Sequence, residues 1–249
     1  MIPESIASVA LMPMILYVMT KKEIFGSLGW VVFAIATITK SIEFASSDYF
    51  NASLFFLGGI FFLLLAKSLL QRNSKTHLEI TSFSVVACAI YFPFVFLEAL
   101  GDALIEVTAY LTWVLGNSLG LPILLNGKTL ELENSAVEII LACTAIESIS
   151  LFTGATLAIK ADLSRKLKAF FVSVPTIYLL NLFRNVFVVV SYAYYWFGEN
   201  SFYIAHHVIS KILALTSLMI LAYLVFRILP ELAELIYSLK DEIVRGVRT

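Results

Sequence analysis

Runs of about twenty residues with almost no charge recur along this 249-residue chain, and they leave few folds open to it. A bilayer core of about 30 Å is crossed by roughly 20 mostly apolar residues in a helix, which satisfies its own backbone N–H and C=O groups without water. Seven such runs can be read: Ile2–Thr20, Ile24–Thr39, Ala52–Leu70, Leu78–Leu100, Val137–Ile159, Ala169–Tyr195 and His206–Ile228. Composition agrees, since 60% of residues are hydrophobic and only 14% charged, against about 25% charged in soluble domains. A net charge of −1 gives no basic field for nucleic acid, and two cysteines are too few for a disulfide framework. The fold class is therefore all-α and polytopic, with about seven transmembrane helices.

Cations fix the expected orientation, because Lys and Arg collect in cytoplasmic loops. The first run has Glu4 before it and Lys21-Lys22 after it, the reverse of a cleavable signal peptide, so it reads as a retained helix starting outside. With the N-terminus out and the C-terminus in, 13 of the 17 basic residues fall on the inner face. Those are Lys21, Lys22, Lys67, Arg72, Lys75, Lys160, Arg165, Lys166, Lys168, Arg227, Lys240, Arg245 and Arg248. Only Lys40 and Lys128 fall in outer loops, and Arg184 and Lys211 lie within helices.

The longest stretch between runs, Gly101 to Ala136, then lies outside. Its first part, Asp102 to Gly116, sets Asp102, Glu106 and Thr112 among apolar neighbours, as in an amphipathic helix at the interface. In the second, Leu124-Leu125-Asn126-Gly127-Lys128-Thr129-Leu130-Glu131-Leu132 places Asn-Gly between alternating runs. That pattern predicts a β-hairpin with a type I′ turn, which needs positive φ at both central residues.

Ionisable groups inside a spanning helix are costly and mark functional sites by default. At about 1.5 Å per residue, measured up from the inner helix ends, Cys143 lies roughly 25 Å, Glu147 roughly 20 Å and Arg184 roughly 22 Å up. Lys211 and His207 lie roughly 24 and 30 Å up. A thiol, a carboxylate, a guanidinium, an imidazole and an amine thus share the outer third of the bilayer. Each alone has a plain structural reading: free Cys packs as an apolar group, Lys211 snorkels, and Asn181 and Asn185 bond neighbouring helices. Cys88, without polar companions, keeps that reading. Gathered at one depth, the others point to cysteine nucleophilic chemistry. A cation stabilises the thiolate, a histidine moves the proton, and a guanidinium stabilises an oxyanion. No zinc helix, P-loop or serine elbow occurs, so neither a metal nor another cofactor is expected.

Three blocks in this order carry a resemblance: Ala142-Cys143-Thr144-Ala145-Ile146-Glu147-Ser148, Asn181-Leu182-Phe183-Arg184-Asn185 and Ala205-His206-His207-Val208-Ile209-Ser210-Lys211. They resemble the exosortase/archaeosortase family of multi-pass membrane cysteine transpeptidases, the Cys block being most like the archaeal branch. The resemblance covers about Leu124 to Tyr223. It implies that Cys143 forms an acyl-thioester, that Arg184 donates a proton or stabilises charge, and that a histidine assists. Motif register favours His206 and depth favours His207, so both are candidates, with Glu147, Asn181, Asn185 and Lys211 in supporting or substrate-binding roles. It further implies secreted surface proteins as substrates, each with a C-terminal recognition motif, a hydrophobic helix and a basic tail, and a lipid or other acceptor. The implied place is the cell membrane, with the site toward the extracytoplasmic face.

Read this way, the chain is one integral membrane domain over 1–249. It has four helices in 1–100, an outer cap in 101–136, a three-helix catalytic part in 137–228 and a cytoplasmic tail in 229–249. The competing reading is a transporter or channel component that uses Arg184 and Glu147 for binding or gating.

Overall fold

The computed structural model describes residues 2–46 and 48–248, and the side chains of 246–248, including the expected inner cation Arg248, lie outside that description. Ten α-helices occur among the described residues: α1 (Ile2–Thr20), α2 (Glu23–Phe44), α3 (Tyr49–Gln71), α4 (Lys75–Phe96), α5 (Glu98–Ser118), α6 (Ile146–Leu157), α7 (Leu163–Ala193), the single turn α8 (Ser201–Tyr203), α9 (Ser210–Ile228) and α10 (Pro230–Arg248). Strands β1 (Leu124–Asn126), β2 (Thr129–Leu132) and β3 (Ser135–Glu138) lie between α5 and α6. Seven helical segments among the described residues are long and apolar enough to cross a membrane: α1 to α5, α7 and the stretch Gly198–Ile228.

The number matches the sequence expectation, but one span is exchanged for another. Val137–Ile159 is apolar without being one helix. Its start is strand, Leu141–Cys143 is a single 3₁₀ turn, and α6 has 12 residues, about 18 Å at 1.5 Å per residue, too short for a hydrocarbon core of about 30 Å. The break is local. Ala145 has φ 60°, a left-handed conformation that ends any right-handed helix. Conversely, Asp102 to Gly116 is part of the full 21-residue α5. The run Leu78–Leu100 divides because Leu97 is extended (φ −100°, ψ 96°). Helix α7 begins before its apolar run, where the Asp162 carboxylate accepts from Ser164 N–H at 3.0 Å and caps the first turn.

The hairpin forms with a different turn. Asn126 pairs with Thr129, so Gly127 and Lys128 are the central residues, and φ is positive only at Gly127, as type II′ requires. A third strand joins it, with Leu130 opposite Val137. Leu130, Leu132 and Val137 are buried on one face against Ala109 of α5 and Val186, Val189 and Val190 of α7. Lys128 Nζ, 2.7 Å from Asp102 Oδ1, ties the turn to the start of α5, and that hydrogen bond raises the Lys128 pKa above its ordinary value.

The chain forms two compact units, one of residues 1–92, 157–161 and 230–249, the other of 93–156 and 162–229. In the first, small residues let helices approach closely: Gly29 meets Met14 and Ala10, and Gly26 meets Tyr17. The core there is Met14, Tyr17, Trp30, Leu65 and Leu69, with Leu239 of α10 packed against it. Trp30 Nε1 donates to Thr81 Oγ1 at 3.0 Å, and buried His77 lies between Ser74 and Ser68, whose hydroxyl donates to Glu242 O. The tail helix α10 is thus docked along α3. In the second unit α5 runs alongside α7 in the same direction, with Thr108 Oγ1 3.1 Å from Tyr178 Oη and Gly116 near Val186.

A Cβ at position 29 would lie 2.6 Å from Met14 Cγ and 3.3 Å from Ala10 O, whereas at position 58 the nearest atom is 3.5 Å away. Gly29→Ala is expected to lower stability by about 1–3 kcal/mol through overpacking and Gly58→Ala to leave it nearly unchanged, as read by thermal unfolding in detergent.

Candidate active site

Helix α7 presents Asn181, Arg184 and Asn185 on one face, since positions i, i+3 and i+4 are neighbours. Both asparagine amides point at the same atom. Asn181 Nδ2 donates to the Cys143 carbonyl oxygen at 2.7 Å and Asn185 Nδ2 donates to it at 3.1 Å. All three residues are buried. Cys143 therefore sits at the height of these asparagines because of side-chain hydrogen bonds. No continuous helix carries it at that depth, and Glu147 is not one turn below it but in the first turn of α6.

The turn around Cys143 explains why its carbonyl needs outside donors. Cys143 N–H donates to Ile140 O and Thr144 N–H to Leu141 O. With Ala145 in the left-handed region, no backbone N–H is recorded as donating to the Cys143 carbonyl among the described residues, and two side-chain amides donate to it instead. A non-glycine residue at positive φ costs on the order of 1 kcal/mol or more and persists where the surroundings over-determine it.

The guanidinium one turn from Asn181 faces across to the last long helix. Arg184 Nη2 lies 3.4 Å from His206 Nε2, and Arg184 is within electrostatic reach of Cys143. His206 Nδ1 is buried without a hydrogen-bond partner among the described residues. His207 does not meet Arg184 in the same way. Its ring stacks on Tyr203 at 5.3 Å and stands edge-on to His206 at 4.6 Å, while His206 stacks on Phe202 at 5.3 Å.

A π-helical turn, Ile204–Ile209, underlies this placement. Such turns bond residue i to residue i+5, appear mostly as single turns inside α-helices and are frequent at functional sites. Ordinary α-helical spacing would stack His207 over Lys211. In the wider turn it is His206 whose Nε2 lies 3.4 Å from Arg184 Nη2.

A cavity of about 450 Å³ opens between α6, α7 and α9. Ala142 and Ala145, on either side of the cysteine turn, border it, with Glu147, Asn181, Arg184 and Lys211 at its polar end and Ile177, Leu180, Leu218 and Leu221 lining its apolar part. Ser210 also lines it, and its buried hydroxyl has no partner among the described residues. Cys88 is in α4 and belongs to the first unit. The structure thus joins Cys143 to Asn181 and Asn185, and joins Arg184, on the same face of α7, to His206, with Glu147 and Lys211 on the adjoining cavity. Sequence reasoning missed Phe202, Tyr203 and Ser210. The two aromatic rings stand four residues before the two histidines, a spacing legible on any helix.

Removing one amide leaves the Cys143 carbonyl with the other, and removing both leaves a buried acceptor unsatisfied at a cost of about 1–3 kcal/mol. Asn181→Ala and Asn185→Ala are expected to lower stability modestly as singles and more than additively when combined. Thermal unfolding of the four proteins in a double-mutant cycle measures this, and strictly additive small losses would contradict it. Ala145→Gly should raise stability by about 0.5–1 kcal/mol in the same assay by removing the left-handed strain.

The family model described as transmembrane exosortase matches residues 7–223. A protein named Archaeosortase A from Haloferax volcanii is 34% identical over 116 residues, covering 40% of this chain and 38% of that protein. Another Archaeosortase A, from Natronomonas pharaonis, is 28% identical over 177 residues, covering 59% of this chain and 56% of that protein. The chain therefore spans between about a third and just over half of the length of these relatives. No solved structure matches. With a family match across most of its length and seven helical segments able to span a bilayer, this multi-pass membrane protein belongs to the transmembrane exosortase family.

Proposed function

We propose that the chain is a membrane-embedded cysteine protease and transpeptidase that cleaves the C-terminal sorting signal of secreted surface proteins. One observation carries this reading: the peptide bearing the Cys143 thiol is fastened to the helix that carries Arg184, which itself meets His206 at 3.4 Å. A structural ion pair has no need of an adjacent imidazole with one free nitrogen, nor of a cysteine backbone held by two amides.

In this mechanism the Cys143 thiolate, stabilised by the Arg184 charge, attacks the scissile carbonyl. The C–S bond forms as the carbonyl π electrons move to oxygen, where the guanidinium stabilises the oxyanion. On collapse the C–N bond breaks and the leaving amine takes a proton from the His206 imidazolium, which gained it from the thiol. An amine or hydroxyl acceptor, a lipid among the candidates, or water then attacks the thioester and regenerates the thiol. Asn181 and Asn185 act as positioning residues for Cys143. Glu147 and Lys211 border the cavity, where a peptide or acceptor would lie.

The proposed site faces outside. Arg165, Lys166 and Lys168 mark the start of α7 and Arg227 the end of α9, while Asn181 to Asn185 lie about 20–30 Å further along α7. The positive-inside rule makes the basic end cytoplasmic. The name Archaeosortase A, borne by the two relatives, supports the sortase reading.

Cys143→Ser and Cys143→Ala should abolish processing of a co-expressed surface protein carrying such a C-terminal signal, while Cys88→Ser leaves it intact. Arg184→Ala and His206→Ala should each slow processing by at least about a hundredfold, the lower range for general acid–base groups, and His207→Ala by far less. Gel mobility of the substrate reads out all of these. Normal processing by Cys143→Ser would sink the protease reading in favour of transport.

A further inference from the structure

The three-stranded sheet has two edges, and they are treated differently. At the β1 edge, α5 supplies side-chain donors: Trp113 Nε1 and Asn117 Nδ2 each donate to Ile123 O at 3.0 Å. The β3 edge has no such cover. Ile139 N–H donates to Lys128 O, so residues 135, 137 and 139 turn their backbone groups toward β2. By the alternation of antiparallel ladders, Ala136, Glu138 and the Ile140 N–H turn theirs away. Among the described residues no hydrogen bond is recorded for the outward N–H and C=O groups of Ala136 and Glu138. All three residues are exposed, Ile140 by 52%.

An open edge is ordinarily a liability that proteins cover or distort, yet this one leads straight to the thiol. The extended backbone continues through Ile140 (φ −115°, ψ 171°) into the 3₁₀ turn that ends at Cys143. Two extended residues and one such turn amount to about 13 Å, roughly four residues of extended peptide. Only an extended backbone presents donors and acceptors at the spacing of this edge. The buried opposite face of the sheet and the bonded β1 edge keep the strand rigid.

We propose that the free edge of β3 captures an extended stretch of the substrate polypeptide as a fourth strand, pairing with Ala136 and Glu138 and delivering the scissile bond, about four residues away, to Cys143. This subsite rests on the protease reading above. It supplies main-chain recognition that a side-chain pocket would not, and it makes local unfolding of the cleavage region a requirement of processing.

The test uses proline, which removes an N–H and is tolerated on an edge strand whose N–H faces solvent. Ala136→Pro and Glu138→Pro each delete one outward donor without touching the ladder to β2. Each should slow processing of the co-expressed surface protein about tenfold, the factor equivalent to one net peptide hydrogen bond. Maleimide labelling of Cys143 should be unchanged in both. Full-rate processing by both proline variants, in a background where Cys143→Ser is inactive, would overturn strand capture and leave the protease reading standing. Should a proline variant lose labelling as well, a protein with the native β3 edge decides. A peptide spanning the cleavage region of that surface protein, added to the Cys143→Ser protein in nanodiscs, should slow amide exchange at Ala136 and Glu138. Unchanged exchange at a peptide concentration that competes for processing overturns the proposal.

Discussion

Two asparagine amides on one backbone carbonyl hold the rest of the site in place. The Cys143 carbonyl lies at a point where the chain has left its strand and not yet begun its helix, and inside a membrane protein such a group has little water to turn to. Asn181 and Asn185 supply what the backbone cannot. Because they flank Arg184 on α7 by three residues and one, the bonds that satisfy the carbonyl also fix the cysteine turn against the face of α7 that carries Arg184. Stability and site geometry are here the same interaction, and Ala145 keeps a conformation unusual for alanine within it.

The sheet next to the site is fixed from both helices that flank it. Leu130, Leu132 and Val137 bury one face against α5 and α7, Lys128 reaches Asp102, and Trp113 and Asn117 hold Ile123. A three-stranded sheet of three- and four-residue strands would be marginal alone. Clamped in this way, it becomes a rigid ledge from which the cysteine turn projects. The chain that crosses from ledge to helix is short, so motion of the ledge and motion of the thiol are closely coupled.

Much of this is legible in the sequence. Apolar runs mark six of the seven helical segments able to cross a membrane, Asn-Gly announces a hairpin, and the order of Cys143, Arg184 and the paired histidines draws attention to three segments. The features that the sequence conceals have a common cause. Hydrophobicity reports where a chain avoids water and says little about its φ and ψ angles. Val137–Ile159 is as apolar as a spanning helix, yet its first residues pair with a strand and Ala145 interrupts the helical winding beyond them, an arrangement held by contacts from residues 38 and 42 positions away. Asp102 to Gly116 carries two acids, which suits an interfacial helix, although Lys128 of the hairpin answers one of them. The choice between His206 and His207 depends on a helical turn of unusual width, which no residue-type preference encodes.

That wide turn makes chain length itself a determinant of the site. A π turn holds one residue more than an α turn, so trimming a single residue between 204 and 209 would restore ordinary winding while rotating everything before the cut by about 100° relative to everything after it. The imidazole would then swing away from the guanidinium although no functional side chain had been altered and the helix remained as apolar as before. Among homologues, a gap of one position there would mark a divergent arrangement of this centre more surely than any substitution nearby.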